Sequence, residues 1–200
     1  MRSQRKIKKI CVFCGSSPGA RPAYERAARE LGELLAERRI GVVFGGGCIG
    51  LMGVLADAAL AKGGEVIGVI PQSLVQREIG HRGVTKLHVV ETMHQRKALM
   101  ADLADAFIAL PGGYGTLEEF CEIVTWSQLG IHQKPCGLLN VETYWKDFVK
   151  FLDHAVDEQF VRPENSQLIL VATTPAGMLE RLEEWSPPAH IEKWVDGTQR

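Results

Sequence analysis

The chain has 200 residues, is 46% hydrophobic and carries a formal charge of −1, which fits one globular domain with a sizeable core. A near-neutral balance argues against general attraction to nucleic acid or to a membrane surface, while leaving local anion sites open. No apolar run approaches the roughly 20 residues of a membrane span, and the basic stretch Arg2, Arg5, Lys6, Lys8 and Lys9 is backed by too little apolar sequence for a signal peptide.

Residues 1–6 read as a flexible basic amino end, 7–185 as one domain and 186–200 as a tail, in which Trp194 is a candidate to dock. The pattern predicts a strand over 7–13, a turn at Gly15-Ser16-Ser17-Pro18-Gly19, and a helix over 21–38 with Ala27, Leu31, Leu34 and Leu35 on one side. A short strand at 41–44 leads into Gly45-Gly46-Gly47-Cys48-Ile49-Gly50, then a helix over 51–61 stopped by Gly63-Gly64. After a strand at 65–70, residues 72–83 read as a polar loop carrying Arg77, Glu78, His81 and Arg82, long enough to suggest function. A strand at 86–90 follows, and Thr92 with Gln95 three residues later has capping-box spacing for the helix that carries Arg96 and Lys97.

The apolar run 106–110 is short enough for a buried parallel strand, and Leu117, Phe120, Cys121 and Val124 repeat with helical spacing. Between them lies Pro111-Gly112-Gly113-Tyr114-Gly115-Thr116-Leu117-Glu118-Glu119. Glycines at a strand's carboxyl end and a helix's amino end permit positive φ and leave N–H groups and a helix dipole to receive an anion, so a phosphate site is expected. The helix is expected to run to about residue 129. A strand at 135–140, a helix at 144–158, a strand at 167–171 and a helix from Thr174-Pro175 to 185 complete the chain. Strands alternating with helices imply a single-domain, Rossmann-like parallel α/β sheet of about seven strands, with helices on both faces and ligands at the carboxyl ends of the strands.

Cys11 and Cys14 form a CxxC, but within a strand an odd separation sends the two side chains to opposite faces. Reduced thiols, no metal site and a cytoplasmic location are expected. Gly45, Gly47 and Gly50 fit G-x-G-x-x-G, yet they follow the second strand, and Glu65, at about the ribose-binding distance, begins a strand on the opposite edge. Tight turns explain part of that loop and a nucleotide contact the rest. Arg96 and Lys97 in a helix's first turns oppose its dipole; a bound anion would relieve the conflict, and projection into solvent is the alternative. Thr116 and Glu119 have capping-box spacing, which competes with a role for Glu119 in chemistry. Glu118, Glu122 and Thr125 share one helical stripe.

Phe13-Cys14-Gly15-Ser16-Ser17, Gly45-Gly46-Gly47 with Gly50-Leu51-Met52-Gly53, Met93-His94-Gln95-Arg96-Lys97 and the PGGxGTxxE run at 111–119 occur in order. Together they resemble the Lonely Guy family of cytokinin-activating phosphoribohydrolases, often labelled lysine decarboxylases, over roughly residues 7–145; the segment Thr125-Trp126-Ser127-Gln128-Leu129-Gly130-Ile131-His132 also matches. The resemblance implies hydrolysis of a nucleoside 5′-monophosphate to free base and ribose 5-phosphate, with isoprenoid adenine preferred and AMP a poorer substrate. It implies no metal or other cofactor, and commonly a homodimer or larger assembly. By motif matching, Arg96 and Glu119 take catalytic positions, and Lys97, Gly113, Tyr114, Gly115, Thr116, Leu117, Glu118, Glu78 and Thr125 take substrate-binding ones. The matching segments add Gly15, Ser16, Gly46, Met93 and Gly112 to the substrate-binding set.

The chemistry agrees: breaking a glycosidic bond builds positive charge on the ribose, which a carboxylate stabilises. Glu119 is expected to do this and to orient or deprotonate water, although Glu118 competes for the position. Arg96 would bind phosphate or assist departure of the base, since a guanidinium stays charged. A lysine decarboxylase would need a Schiff-base lysine for pyridoxal phosphate, which no lysine here resembles. A nucleotide-binding sensor or carrier without hydrolysis is the remaining alternative; the presence of both Arg96 and Glu119 favours the enzyme.

Overall fold

The computed structural model describes residues 6–75 and 80–188. In chain order the elements are β1 (Lys9–Phe13), α1 (Pro22–Glu37), β2 (Gly41–Phe44), α2 (Gly50–Ala61), β3 (Val66–Pro71), α3 (Gln72–Val75), β4 (Lys86–Val90) and α4 (Met93–Leu103). There follow β5 (Ala106–Ala109), α5 (Tyr114–Gln128), β6 (Cys136–Leu139), a 3₁₀ turn (Val141–Thr143), α6 (Lys146–Asp157), α7 (Pro163–Ser166), β7 (Ile169–Ala172) and α8 (Pro175–Glu184). The expected Rossmann-like parallel sheet is present: seven strands in the order β4-β3-β2-β1-β5-β6-β7.

From β1 the chain builds outward to β4, then returns to place β5 on the other side of β1. The order therefore reverses between β1 and β5, where Ile10 pairs with both Val42 and Ala106. The helices diverge there, leaving a crevice outside the carboxyl ends of the strands.

The strands are buried on both faces, as parallel strands between helical layers must be. Ile10 and Val12 pack with Leu31 and Leu35 of α1, Leu55 of α2 and Met178 of α8. Cys11 and Phe13 face the other way, with Met100 of α4 and Phe120 and Ile123 of α5. The two cysteines of the CxxC accordingly lie in different layers, Cys14 with the first and Cys11 with the second.

Where elements depart from the expected bounds, the hydrogen bonds explain why. β1 starts at Lys9 rather than residue 7, because the N–H groups of Lys8 and Lys9 donate to the Asp105 carboxylate at 2.8 and 3.0 Å. Pro135 has no N–H for the ladder, so β6 begins one residue later. The polar loop expected over 72–83 opens with the four-residue helix α3, and its far end is pinned by the His81 N–H donating to the Gly46 carbonyl at 2.9 Å. Glu78 and Trp194 lie outside the described residues. The helix expected from 144 begins at Lys146: Glu142 and Thr143 take positive φ, 49° and 60°, and the Asn140 carboxamide accepts from the Trp145 N–H at 2.7 Å. The caps at Thr92 and Thr174 form as expected, with Thr92 Oγ1 accepting from Gln95 N–H and Thr174 Oγ1 from Gly177 N–H.

Phe107 sits at the centre of this arrangement, fully buried on β5 and stacked on Phe13 with ring centroids 6.1 Å apart. Phe107→Ala is expected to cost about 3–5 kcal/mol, read as a lowered urea midpoint with an unchanged slope.

Candidate active site

Three turns meet at the carboxyl edge where the strand order reverses. The Gly15 N–H donates to the Pro111 carbonyl, and the Gly15 carbonyl accepts from the Leu51 N–H, each at 3.0 Å. This fastens the turn after β1 to the loop after β5 and to the start of α2. Between them is a cleft of about 310 Å³ lined by Gly15, Ser16, Gly112, Gly113, Tyr24 and Tyr144. A larger cavity of about 500 Å³ opens at the amino ends of the strands. Two of its polar groups are already committed there: Asp105 to the β1 backbone, and Lys134 Nζ to the Ala101 carbonyl at 2.8 Å. The switch-point cleft is the better candidate.

The glycine loop meets expectation in place but not in conformation. Gly112, Gly113 and Gly115 keep negative φ; positive φ occurs instead at Gly19, Gly46, Gly50, Gly63 and Gly130. Space explains the residue choice. At Gly112 a Cβ would overlap the Thr116 hydroxyl and crowd the Gly15 N–H, whereas at Gly113 and Gly115 it would meet nothing within 4 Å. The first glycine is demanded by packing, and the other two leave open ground at a helix's amino end. Gly113 is the N-cap of α5, so Thr116 is buried inside the first turn and does not open the helix. The Thr116–Glu119 capping box that competed with a role for Glu119 in chemistry does not form, because the helix is capped at Gly113, and Glu119 is turned to Arg96. Tyr114 is almost wholly exposed, and Leu117 packs into the core beneath the loop.

Arg96 is only 8% exposed. Its Nε donates to the Val69 carbonyl at 3.1 Å, Nη2 to the Gly45 carbonyl at 3.4 Å, and Nη1 lies 3.0 Å from Glu119 Oε1. Met93 Sδ is 3.3 Å from the same Nη1. A Cβ on Gly45 would overlap the guanidinium, so this glycine of the G-x-G-x-x-G run makes room for an arginine rather than a pyrophosphate. Gly46 is buried against Ile70 and Leu87.

Lys97, also buried, has its ammonium hydrogen-bonded to Glu118 and, at 3.0 Å, to Glu122. Burial alone would lower its pKa, but these two bonds and the charges behind them outweigh it and leave the pKa raised. The expected conflict between the two cations and the α4 dipole is therefore met by the protein's own carboxylates rather than by a waiting anion. Two cations face three carboxylates here, an unfavourable place for phosphate. The first turn of α5 contains no acidic residue, so the anion-receiving end of the site is the glycine loop.

Helix phase gives the neighbouring glutamates different settings. Glu119 is inward, its side chain 12% exposed and paired with Arg96; Glu118 stands at the rim, 56% exposed, on Lys97. Burial, and after it the negative charge of Glu119, pushes the thiols of Cys11 and Cys14 upward, so neither is poised as a thiolate. Thr125 lies on the Glu118 stripe about two turns further along α5, its hydroxyl donating to the Cys121 carbonyl at 2.7 Å; within one chain it does not join the loop. Sequence reasoning missed the role of Glu122 on Lys97, legible only as an i, i+4 partner of Glu118, and missed Tyr24 and Tyr144, which no local pattern marks.

A family model described as "possible lysine decarboxylase" matches residues 52–182. The chain is similar to a probable cytokinin riboside 5′-monophosphate phosphoribohydrolase of Oryza sativa subsp. japonica, 52% identical over 92% of this chain and 75% of that one. It is also similar to a cytokinin riboside 5′-monophosphate phosphoribohydrolase of Arabidopsis thaliana, 51% identical over 92% of this chain and 85% of that one. Among solved structures, the molybdenum cofactor carrier protein of Chlamydomonas reinhardtii superposes with a TM-score of 0.67 at 22% identity, covering 90% of this chain and 98% of that one. The molybdenum cofactor binding protein of Rippkaea orientalis does so with a TM-score of 0.65 at 24% identity, covering 89% and 96%. At those identities the likeness is one of fold.

The two kinds of glycine separate in a simple experiment. Gly112→Ala is expected to cost about 1–3 kcal/mol by overpacking, seen as a lowered Tm. Gly113→Ala is expected to shift Tm by less than about 2 °C while weakening binding of AMP about tenfold or more, measured by calorimetric titration.

Proposed function

The chain belongs to the Lonely Guy family of cytokinin riboside 5′-monophosphate phosphoribohydrolases, and from that membership we propose that it hydrolyses the N-glycosidic bond of such nucleotides, and of AMP less well, to free base and ribose 5-phosphate. The observation that carries the reading is the buried Arg96–Glu119 pair beside an acid-free, glycine-lined helix terminus. Glu119 lies six residues beyond the Gly113 cap, about 9 Å along the helix axis, which leaves room for a ribose between a phosphate on the loop and a carboxylate at the anomeric carbon.

The 5′-phosphate is received by the N–H groups at the start of α5, and the binding energy of this remote group positions the sugar. As the bond to the base lengthens, positive charge develops on the ribose and Glu119 stabilises it, then orients or deprotonates the attacking water. Arg96 holds that carboxylate in place and presents a fixed positive charge toward the departing base. It acts as an electrostatic partner, since a guanidinium is too weak an acid to serve as proton donor. Lys97 holds Glu118 and Glu122 in place beside that pair.

The decarboxylase description fits less well. A Schiff-base lysine needs a depressed pKa to be nucleophilic, whereas that of Lys97 is raised and its ammonium is bound by two carboxylates. We also infer a homodimer, supported by the exposed apolar side chains of Val89, Met93, Leu129 and Ile131 on and near α4 and α5 and by the distance of Thr125 from the loop. In that assembly Thr125 would contact substrate across the interface. No helix among the described residues is long and apolar enough to cross a membrane, and the buried free thiols of Cys11, Cys14 and Cys136 favour a cytoplasmic location.

Glu119→Gln is expected to slow base release roughly 100- to 1000-fold while leaving AMP affinity nearly unchanged, measured by chromatography of free base from AMP and isopentenyladenosine monophosphate. Tight nucleotide binding by the wild type with no base released would favour the sensor or carrier instead. Activity per chain is expected to fall on dilution, in step with loss of dimer by light scattering; constant activity in a monomer would remove the shared-site reading.

A further inference from the structure

The carbonyls of the glycine loop are each held by a different partner. Pro111 O accepts from the Gly15 N–H at 3.0 Å and Gly113 O from the Leu117 N–H at 3.1 Å. Between them, Gly112 O accepts from the Tyr144 hydroxyl at 2.6 Å, within the range of a good O–H···O bond. Tyr144 comes from 32 residues further along the chain.

The manner of its delivery is unusual. Glu142 and Thr143 precede it with φ of 49° and 60°, a conformation uncommon for any residue with a side chain and least suited to a β-branched one. Consecutive outliers of this kind persist only where surrounding structure enforces them, and they cluster at ligand sites. Here they turn the chain so that Tyr144 reaches the cleft, with its ring edge-on to Tyr24 (centroids 5.7 Å, 78°) and to the buried Trp145 (4.9 Å, 88°). The strained turn, the aromatic contacts and the hydroxyl bond all converge on one peptide unit.

That unit joins two glycines, so it has no side chain to restrain it, and Gly113 has open space around it. A peptide between two glycines can rotate as a plane at little steric cost. Across a trans peptide the carbonyl and the following N–H point in opposite directions. Fixing Gly112 O on Tyr144 therefore fixes the Gly113 N–H, the first of the donors at the amino end of α5, on the side away from Tyr144.

We propose that Tyr144 is a positioning residue for the phosphate-receiving loop, its hydroxyl locking the Gly112–Gly113 peptide in the orientation that binds the 5′-phosphate. This rests on the phosphoribohydrolase reading and on phosphate binding at the glycine loop. It gives the 141–144 turn a function in affinity for the phosphorylated end of the substrate, separate from the bond-breaking pair.

Tyr144→Phe removes the hydroxyl and keeps the ring. Titration calorimetry with ribose 5-phosphate, AMP and adenosine, together with steady-state kinetics on AMP, tests the assignment. The variant is expected to bind ribose 5-phosphate and AMP about tenfold more weakly, with adenosine affinity and Tm unchanged, and to show a raised KM with kcat largely kept. Unchanged affinity for both phosphorylated ligands overturns the proposal, as does equal weakening for adenosine, which would mark a general structural role. If wild-type protein itself fails to bind ribose 5-phosphate or AMP, the site reading falls and this assignment with it, a result that the wild-type titration reveals without the variant.

Discussion

A guanidinium out of water must be paired and hydrogen-bonded, because an uncompensated buried charge costs several kcal/mol. Arg96 meets that demand with the Val69 and Gly45 carbonyls, near the carboxyl ends of β3 and β2, and with the Glu119 carboxylate on α5. Four elements must therefore be in register for one side chain to be tolerated. The same contacts fix Glu119, and so the position of α5 relative to α4. Gly45 is drawn into this arrangement because a side chain there would occupy the place of the guanidinium.

Charge is distributed along the site rather than concentrated. The Arg96 and Lys97 cluster has more carboxylates than cations, which suits a sugar acquiring positive charge and repels a phosphate. The amino end of α5 carries no acid in its first turn and has two glycines bordered by open space. A nucleoside monophosphate has the same polarity, with an anionic end and a carbon that becomes cationic in the transition state. Rigid helix geometry sets the separation between the amino end of α5 and Glu119.

The fold alone does not carry the activity. Molybdenum cofactor carrier and binding proteins share the architecture at 22–24% identity, in keeping with the rule that function resides in sites placed on folds. What the fold supplies is the reversal between β1 and β5, which brings the turn after one strand against the loop after the other. Arg96 of α4 and Glu119 of α5 meet near the carboxyl ends of β2 and β3.

Much of this was written in local pattern. The alternation of strand and helix, the parallel sheet, the caps at Thr92 and Thr174, and the placing of the glycine turns after β1, β2 and β5 on one edge follow from periodicities and end signals a few residues long. Helix and strand formation respond to those directly. The motif residues Arg96 and Glu119 were likewise legible as candidates. What local pattern misjudged was set by contacts between distant segments. Thr116 and Glu119 have the spacing of a cap, but the helix is capped three residues earlier, at Gly113, and Glu119 is turned to Arg96. The inward setting of Glu119 and the outward one of Glu118, the pairing of Lys97 with Glu118 and Glu122, and the reach of Tyr144 to Gly112 depend on helix phase and on elements 21 to 32 residues apart. Sequence determined which groups were present and in what kind of element. Only packing decided which of them meet, because a hydrogen bond between elements is fixed by their relative position and not by the pattern within either one.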